Sequence, residues 1–429
     1  MFKTFKDAWK VADLRKKILF TLFILIVFRI GCRIPVPFVS DRLYDQFNTG
    51  GAFSYLNMIS GSALANGTLF ALSISPYITA QIIIQLLTIA IPALERLSKE
   101  GEEGQKKIQA LTRYGTVILA VITAIGYYAL LNSQTFNCIY LPEGISKGFG
   151  AVIIVAAYTA GASLVMWLAE KINEHGIGNG ISILLFAGIV SGMPTMLSNL
   201  GDSLAVTVWG KILVWAITII CLIIAIAFIV FVTESERRLP VQYAKKVVGR
   251  KMYGGQNSAL PIKLNMSGVM PFIFAQSIMS IPETIRMVAQ PKAGGFWEKF
   301  FNVFSTSHPV YIILLFVLII AFAYFYLTIS FNPVEVANNL KKNGGTVFGI
   351  RPGKPTSDYI GKVVRRITLI GALFLSIVAI LPMILSNIDK LWALSLGGTS
   401  LLIAVGVALE LERELEAQMS MRNYKGFLE

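Results

Sequence analysis

The sequence predicts an all-α polytopic membrane protein: ten transmembrane helices in two inverted five-helix halves, with a half-helix after the first span. Three observations carry that prediction. Hydrophobic residues fill 55% of the 429 positions and charged residues only 14%, with a mean hydropathy of +0.66, as in chains solvated by lipid. Ten apolar runs recur along the chain, most of them near the length of about 20 residues that crosses a hydrocarbon core. Between the runs, Lys and Arg alternate between dense and sparse segments, as their retention on the cytoplasmic side requires.

The first seventeen residues carry six basic side chains and two aspartates. They read as an amphipathic cytoplasmic helix, not as the short basic leader of a cleaved signal peptide. The apolar runs follow at Ile18 to Ile34, Thr68 to Leu94, Gly115 to Leu131, Gly150 to Ala169, Gly180 to Leu197, Gly210 to Val232, Met266 to Ile285, Pro309 to Phe331, Ile367 to Ser386 and Trp392 to Leu411. With the N-terminus inside, 29 of the 38 Lys+Arg fall in cytoplasmic segments. Six fall outside: Arg42, Lys147, Arg286, Lys292, Lys299 and Lys390. That asymmetry puts both termini in the cytoplasm.

A polar outer linker, Ser198 to Val208, divides the spans five and five, giving halves 1–200 and 201–429. Five is odd, so the second half runs opposite to the first, and inverted repeats commonly place a translocation site at their interface. No clear residue-level self-similarity links the halves, so ten spans without internal symmetry is the rival reading.

After the first span, Gly51 to Leu87 is apolar but too long and too interrupted for one helix. A short piece, Tyr55 to Leu64, is cut by Gly61, Asn66 and Gly67 before a continuous run begins. Irregular backbone at membrane depth survives only where protein buries it or where it lines an aqueous cavity, which points to a pathway. An amphipathic helix on the outer surface is the alternative.

Two cytoplasmic loops, 233–265 and 332–366, are long and basic, and a tail follows at 412–429. The first loop interleaves Arg237, Arg238, Lys245, Lys246, Arg250 and Lys251 with Tyr243 and Tyr253; the second sets Arg351 among Gly and Pro. Such surfaces suit RNA phosphates or an acidic protein face, and equally topology retention with contact to anionic lipids.

Within the spans, ion-coupled carriers need ionisable residues, yet only Arg29 and Arg33 of the first span approach that description. No phosphate-binding loop occurs, and the Gly176–Gly180 run GIGNG has Ile181 where a dinucleotide fingerprint needs its third Gly. His175 and His308 are far apart, and Cys32, Cys138 and Cys221 are scattered without metal spacing. The chain is read as a non-enzyme with no cofactor and no metal. A small-solute carrier should show midspan charges, and a membrane hydrolase should show a His, Asp or Ser constellation; neither pattern is present.

The sequence resembles the SecY family, the channel subunits of the bacterial protein-conducting translocon, from Lys10 to Leu428. The resemblance rests on SPYITAQIIIQLL (Ser75 to Leu87), GIGNG, YAKKVVGR (Tyr243 to Arg250), NPVEVANNLKKNGG (Asn332 to Gly345), GIRPG (Gly349 to Gly353), GGTSLLI (Gly397 to Ile403) and MRNYKGF (Met421 to Phe427). It implies a multi-pass protein of the bacterial cytoplasmic membrane. Unfolded polypeptides bearing signal sequences would cross through an hourglass pore, and membrane segments would leave sideways through a lateral gate between spans two and three and spans seven and eight.

Carried over, the family's apolar constriction falls on Ile74, Ile78, Ile181, Leu185, Ile273 and Ile403, with Leu185 where isoleucine is familiar. Its plug helix falls on Tyr55, Leu56, Asn57, Met58, Ile59, Ser60, Gly61, Ser62, Ala63, Leu64 and Ala65, matched by position more than by residue. Gln85, Asn179 and Ser277 match the polar cluster across the gate. Arg351 and the basic residues of the first loop match the docking surface for the ribosome and for a SecA-like ATPase motor. SecE-like and SecG-like small membrane subunits are implied by the resemblance alone.

Overall fold

The structure, a computed structural model, describes residues 2–40, 57, 60–132, 138–142, 146–204, 208–243, 246–248, 251–253, 257–266, 268–289, 295–305, 308–386 and 392–425. Its helices are α1 (Phe2–Lys10), α2 (Ala12–Gly31), α3 (Ser75–Ala90), α4 (Pro92–Lys99), α5 (Glu102–Leu131), α6 (Lys147–His175) and α7 (Gly180–Leu204). They continue with α8 (Val208–Glu234), α9 (Met270–Ala289), α10 (Phe296–Val303), α11 (Pro309–Ser330), α12 (Pro333–Lys342), α13 (Lys354–Ser386) and α14 (Trp392–Lys425). Each of the ten apolar runs coincides with one long helix: α2, α3, α5, α6, α7, α8, α9, α11, α13 and α14. Among the described residues, five helices qualify as spans on length and hydropathy alone, six if α3 and α4, bent by 101°, form one broken span.

The second run differs from its expected bounds. Thr68 bridges Pro35, residues 69–74 are turns, and α3 begins only at Ser75, because Pro76 sits at its first turn and Ser73 adopts φ 51°. Several other helices outrun the apolar sequence. α5, α13 and α14 carry two to four extra turns of charged residues into water, so part of what reads as loop is helix.

The first five spans pack in sequence neighbourhoods: α3 on α5, α5 on α6, α6 on α2. The halves meet along two seams. At one, α9 packs against α3 and α5; at the other, α7 packs against α8 and α14. Between the seams lies the main buried core, whose centre is supplied by α3, α7, α9 and α14. On one flank α1 lies against the end of α14, burying Ala8 with Leu14, Ile18, Ile177 and Leu415.

The GIGNG run is a tight turn from α6 into α7. Gly178 takes φ +74°, and a Cβ on Gly180 would collide with the Ala169 carbonyl oxygen, so α7 starts against the backbone of α6. Asn173 Oδ1 accepts from Gly180 N (2.7 Å), closing the turn. The glycines serve chain reversal.

The all-α expectation misses two small sheets. β1 (Glu236–Tyr243), β4 (Asn257–Lys263) and β5 (Gly345–Val347) form an antiparallel sheet in the order β4-β1-β5, while β2 (Lys246–Val248) pairs with β3 (Lys251–Tyr253). The signal was present in Leu239-Pro-Val-Gln-Tyr243, where Leu239 and Val241 alternate inward. These two residues pack with Ile262, Val347 and Leu340 on Ile360 and Val364 of α13. Because β1 comes from one long loop and β5 from the other, the two loops form one folded unit.

Candidate functional site

The six aliphatic residues matched to the constriction all lie in the main buried core, and four of them line one cavity. Ile74 caps α3 and Ile78 lies one turn on; Ile181 and Leu185 lie one turn apart on α7; Ile273 stands on α9 and Ile403 on α14. All are at most 6% exposed and belong to one hydrophobic cluster. Ile78, Leu185, Ile273 and Ile403 line a cavity of about 110 Å³. Ser73, Ser75, Thr123, Ser280 and Thr284 also line it, with Leu64 of the interrupted segment in the wall. Gln276, also in the wall, donates from Nε2 to the Tyr311 hydroxyl (3.1 Å), and its buried Oε1 has no protein partner.

Of the plug positions, Asn57 and Ser60 to Ala65 are described; Tyr55, Leu56, Met58 and Ile59 lie outside the described residues. Asn57 is helical and residues 60–67 run on as turns, with Gly61 and Ser62 at φ 65° and 68°. The segment is buried: Ala63 and Ala65 are 0% exposed and Ser60 is 1% exposed. Backbone in that position needs partners. Internally, Asn57 Oδ1 accepts from Ala65 N (2.9 Å), and Ser60 Oγ accepts from Leu64 N (3.1 Å) and donates to the Asn57 carbonyl (2.9 Å). From outside, Arg29 Nη1 donates to the Gly61 carbonyl (2.9 Å), Tyr127 to that of Leu64 (2.6 Å) and Tyr158 to that of Gly67 (3.4 Å). The two tyrosine rings meet edge to face at 5.0 Å. Sequence reasoning noticed Arg29 only as an anomalous charge and missed both tyrosines, whose hydroxyls inside apolar helices were the available signal.

Two of the three polar residues matched to the gate are satisfied locally, while Gln85 on α3 lies near the Tyr326 side chain of α11 across the seam. Asn179 Oδ1 accepts from Ile181 N (3.0 Å), capping α7, and Ser277 Oγ donates to the Ile273 carbonyl (2.8 Å) within α9. Short side chains at helix starts and in helix interiors reach backbone first, which is why two of the three bond locally. Tyr326, absent from the sequence reading, stands near Gln85 across the seam and packs on Phe274 of α9.

Of the basic positions, Arg237, Arg238 and Arg351 are exposed. Arg237 and Arg238 lie on β1 opposite Ile262 and Pro261, and Arg238 pairs with Glu236 (2.7 Å). Lys246 and Lys251 belong to the β2–β3 hairpin, while Lys245 and Arg250 lie outside the described residues. Arg351 sits in the turn between β5 and α13, its carbonyl accepting from Thr356 Oγ1 (2.7 Å), with Gly349 and Gly353 at φ +76° and +105° on either side. Its guanidinium is thus held out from a fixed backbone.

Comparison with known proteins places this geometry. Residues 68–411 match the SecY family. The protein translocase subunit SecY of Streptomyces galbus is 43% identical over 440 residues, covering 100% of both chains. Among solved structures, one described as the structure of a protein conducting channel superposes with a TM-score of 0.66 at 19% identity, covering 94% of this chain and 92% of the other. Another concerns the plug domain of the SecY protein stabilising the closed state of the translocation channel (TM-score 0.65, 18% identity, 94% and 92% covered). A third is Sec61 in the canine ribosome–channel complex (TM-score 0.61, 18% identity, 94% and 92% covered).

Proposed function

The chain belongs to the SecY family of protein translocase subunits, and from that premise we propose that unfolded polypeptide crosses the membrane through the centre of this fold. It is a multi-pass membrane channel subunit and not an enzyme. One observation carries the reading of the path: six branched aliphatic residues from four helices of both halves converge in a single buried cluster beside a cavity. A ring of such side chains yields to a passing chain without binding it and stays dry when empty, which excludes ions through their hydration cost.

The seam where α9 meets α3 and α5 is the lateral gate in this proposal, with Gln85 near Tyr326 across it and Asn179 and Ser277 as its other polar residues. Residues 55–65 form the plug. The halves 1–200 and 201–429 act as the two jaws, and both termini face the cytoplasm, supported by the Lys and Arg distribution. Arg237, Arg238, Lys245, Lys246, Arg250, Lys251 and Arg351 of the two long loops are the residues that meet the ribosome and a SecA-like motor in this proposal, with anionic lipid as a further partner. A neighbour of the same fold is seen in a ribosome–channel complex, which supports the ribosome as partner. SecE-like and SecG-like subunits complete the assembly.

Reconstitution decides the matter. Vesicles holding the purified channel with its small subunits should import a signal-bearing polypeptide when the ATPase motor and ATP are supplied. Failure of import with a motor active on a control channel overturns the proposal.

A further inference from the structure

The buried turn at residues 60–67 is tied down in an unusual way, because its outside hydrogen-bond donors reach its carbonyls and leave its side chains alone. Arg29 of α2 donates to Gly61, Tyr127 of α5 to Leu64 and Tyr158 of α6 to Gly67. Cys32, also beyond the apolar centre of α2, aims its thiol at the Ser60 carbonyl (3.8 Å). Close approach backs these bonds. A Cβ on Gly61 would lie 2.8 Å from Ser191 Oγ and 2.9 Å from Arg29 Nη1, so only glycine lets the guanidinium reach this carbonyl.

All these groups belong to the first half of the chain. The second half meets the segment differently: Leu64 shares a cavity lining with Ile273, Ile403, Gln276, Ser280 and Thr284, whose polar side chains bond Tyr311, Ser277 and Ser280 and, among the described residues, not the buried turn. Among the described residues no carboxylate lies within ion-pair reach of Arg29, whose guanidinium is bonded to the Gly61 carbonyl. Hydrogen bonds from a cation are roughly twice as strong as neutral ones.

We propose that Arg29, Tyr127 and Tyr158 form a clasp that holds the plug at rest by its backbone, and that the plug therefore stays with the first half when the seam at α9 opens. The proposal rests on reading residues 55–65 as the plug. Arg29 and the tyrosines are positioning residues: they touch the plug, not the translocating chain. Since every residue type offers a carbonyl, the clasp tolerates side-chain changes within the plug except at Gly61. Release then requires movement of α2, α5 or α6 within the first half, a step separate from parting the halves.

The test uses the full-length channel with its small subunits in planar bilayers, recording resting conductance. Tyr127→Phe removes one hydroxyl while keeping the ring, and Arg29→Gln removes the charge. Losing a single bond of this kind shifts the resting equilibrium by roughly fivefold to tenfold, so each variant should conduct above the parent by about that factor. Arg29→Lys, which keeps a donor and a charge, should restore much of the parent's silence. The same substitutions are repeated in a channel lacking residues 57–65. There Arg29 and Tyr127 have lost the carbonyls of Gly61 and Leu64, so these substitutions should add no conductance beyond that of the deletion itself.

If Tyr127→Phe and Arg29→Gln are silent while the deletion conducts, the clasp is wrong and the plug stands. If the deletion too is silent, the plug reading falls with it. Equal increases with and without residues 57–65 also overturn the clasp, since the effect then does not pass through the plug. Should Arg29→Gln fail to assemble, Tyr127→Phe carries the test alone.

Discussion

The waist of the bundle and the sheet that joins the two long loops are built on opposite principles. At the waist, Ile74, Ile78, Ile181, Leu185, Ile273 and Ile403 are almost wholly buried and carry no charge; at the sheet, Arg237, Arg238 and Arg351 stand in solvent on a frame of strands. The first region depends on shape and dryness, so residues of similar volume should substitute for one another and salt should matter little. The second depends on long-range charge, which salt screens over about 10 Å at 0.1 M. On the proposed reading a single channel separates sealing from docking, and the two can be broken one at a time.

The largest effect is expected at the waist. Ile403→Asn places an amide among aliphatic side chains, where an unsatisfied polar group costs on the order of 1–3 kcal/mol. Hydration relieves that cost, so open or leaky states gain, and resting conductance in planar bilayers should rise about tenfold or more. Ile403→Val should cost only about 0.5–1.5 kcal/mol in stability and leave the channel silent. Equal leak from both would mean that packing volume, not polarity, makes the seal.

Next comes the sheet. Arg351→Glu should lower ribosome affinity several-fold at low salt, the loss of one charged contact being roughly 1.5–3 kcal/mol before screening. Cosedimentation across a salt series measures it. The parent and variant curves should converge at high salt, and a salt-independent gap would show that the turn's shape, not its charge, is what docks.

A smaller effect belongs to the seam. Gln85→Leu or Tyr326→Phe removes the polar contact between these two side chains in the membrane, about 0.6 kcal/mol if it matches a typical interhelical hydrogen bond. Either should relax the signal-sequence hydrophobicity threshold by about threefold in export efficiency. A graded series of signal sequences giving identical thresholds would reduce this contact to packing.

The smallest concerns the wet rim. The Arg413 guanidinium beside Glu234 (2.7 Å) holds its carboxyl below the usual carboxylate range. A carboxyl with a lowered folded value contributes stability above its ordinary range and loses it as pH falls through that lowered value. Glu234 is half-exposed, so the contribution is only about 0.2–1 kcal/mol. Glu234→Gln should lower the melting temperature by a degree or so at neutral pH and leave it unchanged in strong acid, read by thermal denaturation in detergent at the two pH values.

Periodicity and composition alone determined the ten spans, because lipid demands a long apolar run for each helix and leaves no other solution. They determined the broken stretch before α3 as well, since Gly61, Asn66 and Gly67 interrupt an apolar run whatever lies around them. The resemblance supplied the six waist positions, which composition could not have separated from any other isoleucine facing lipid. Only the tertiary structure joined β1 to β5 across about a hundred residues, found Tyr326 opposite Gln85, and brought Arg29, Tyr127 and Tyr158 to three successive stretches of one buried turn. Those pairings bind a side chain or strand to backbone or side-chain partners far away in sequence. Local hydrophobic pattern fixes which face of a helix is apolar, but which donor meets which carbonyl depends on how whole helices are rotated and stacked, and that is settled only when the core closes.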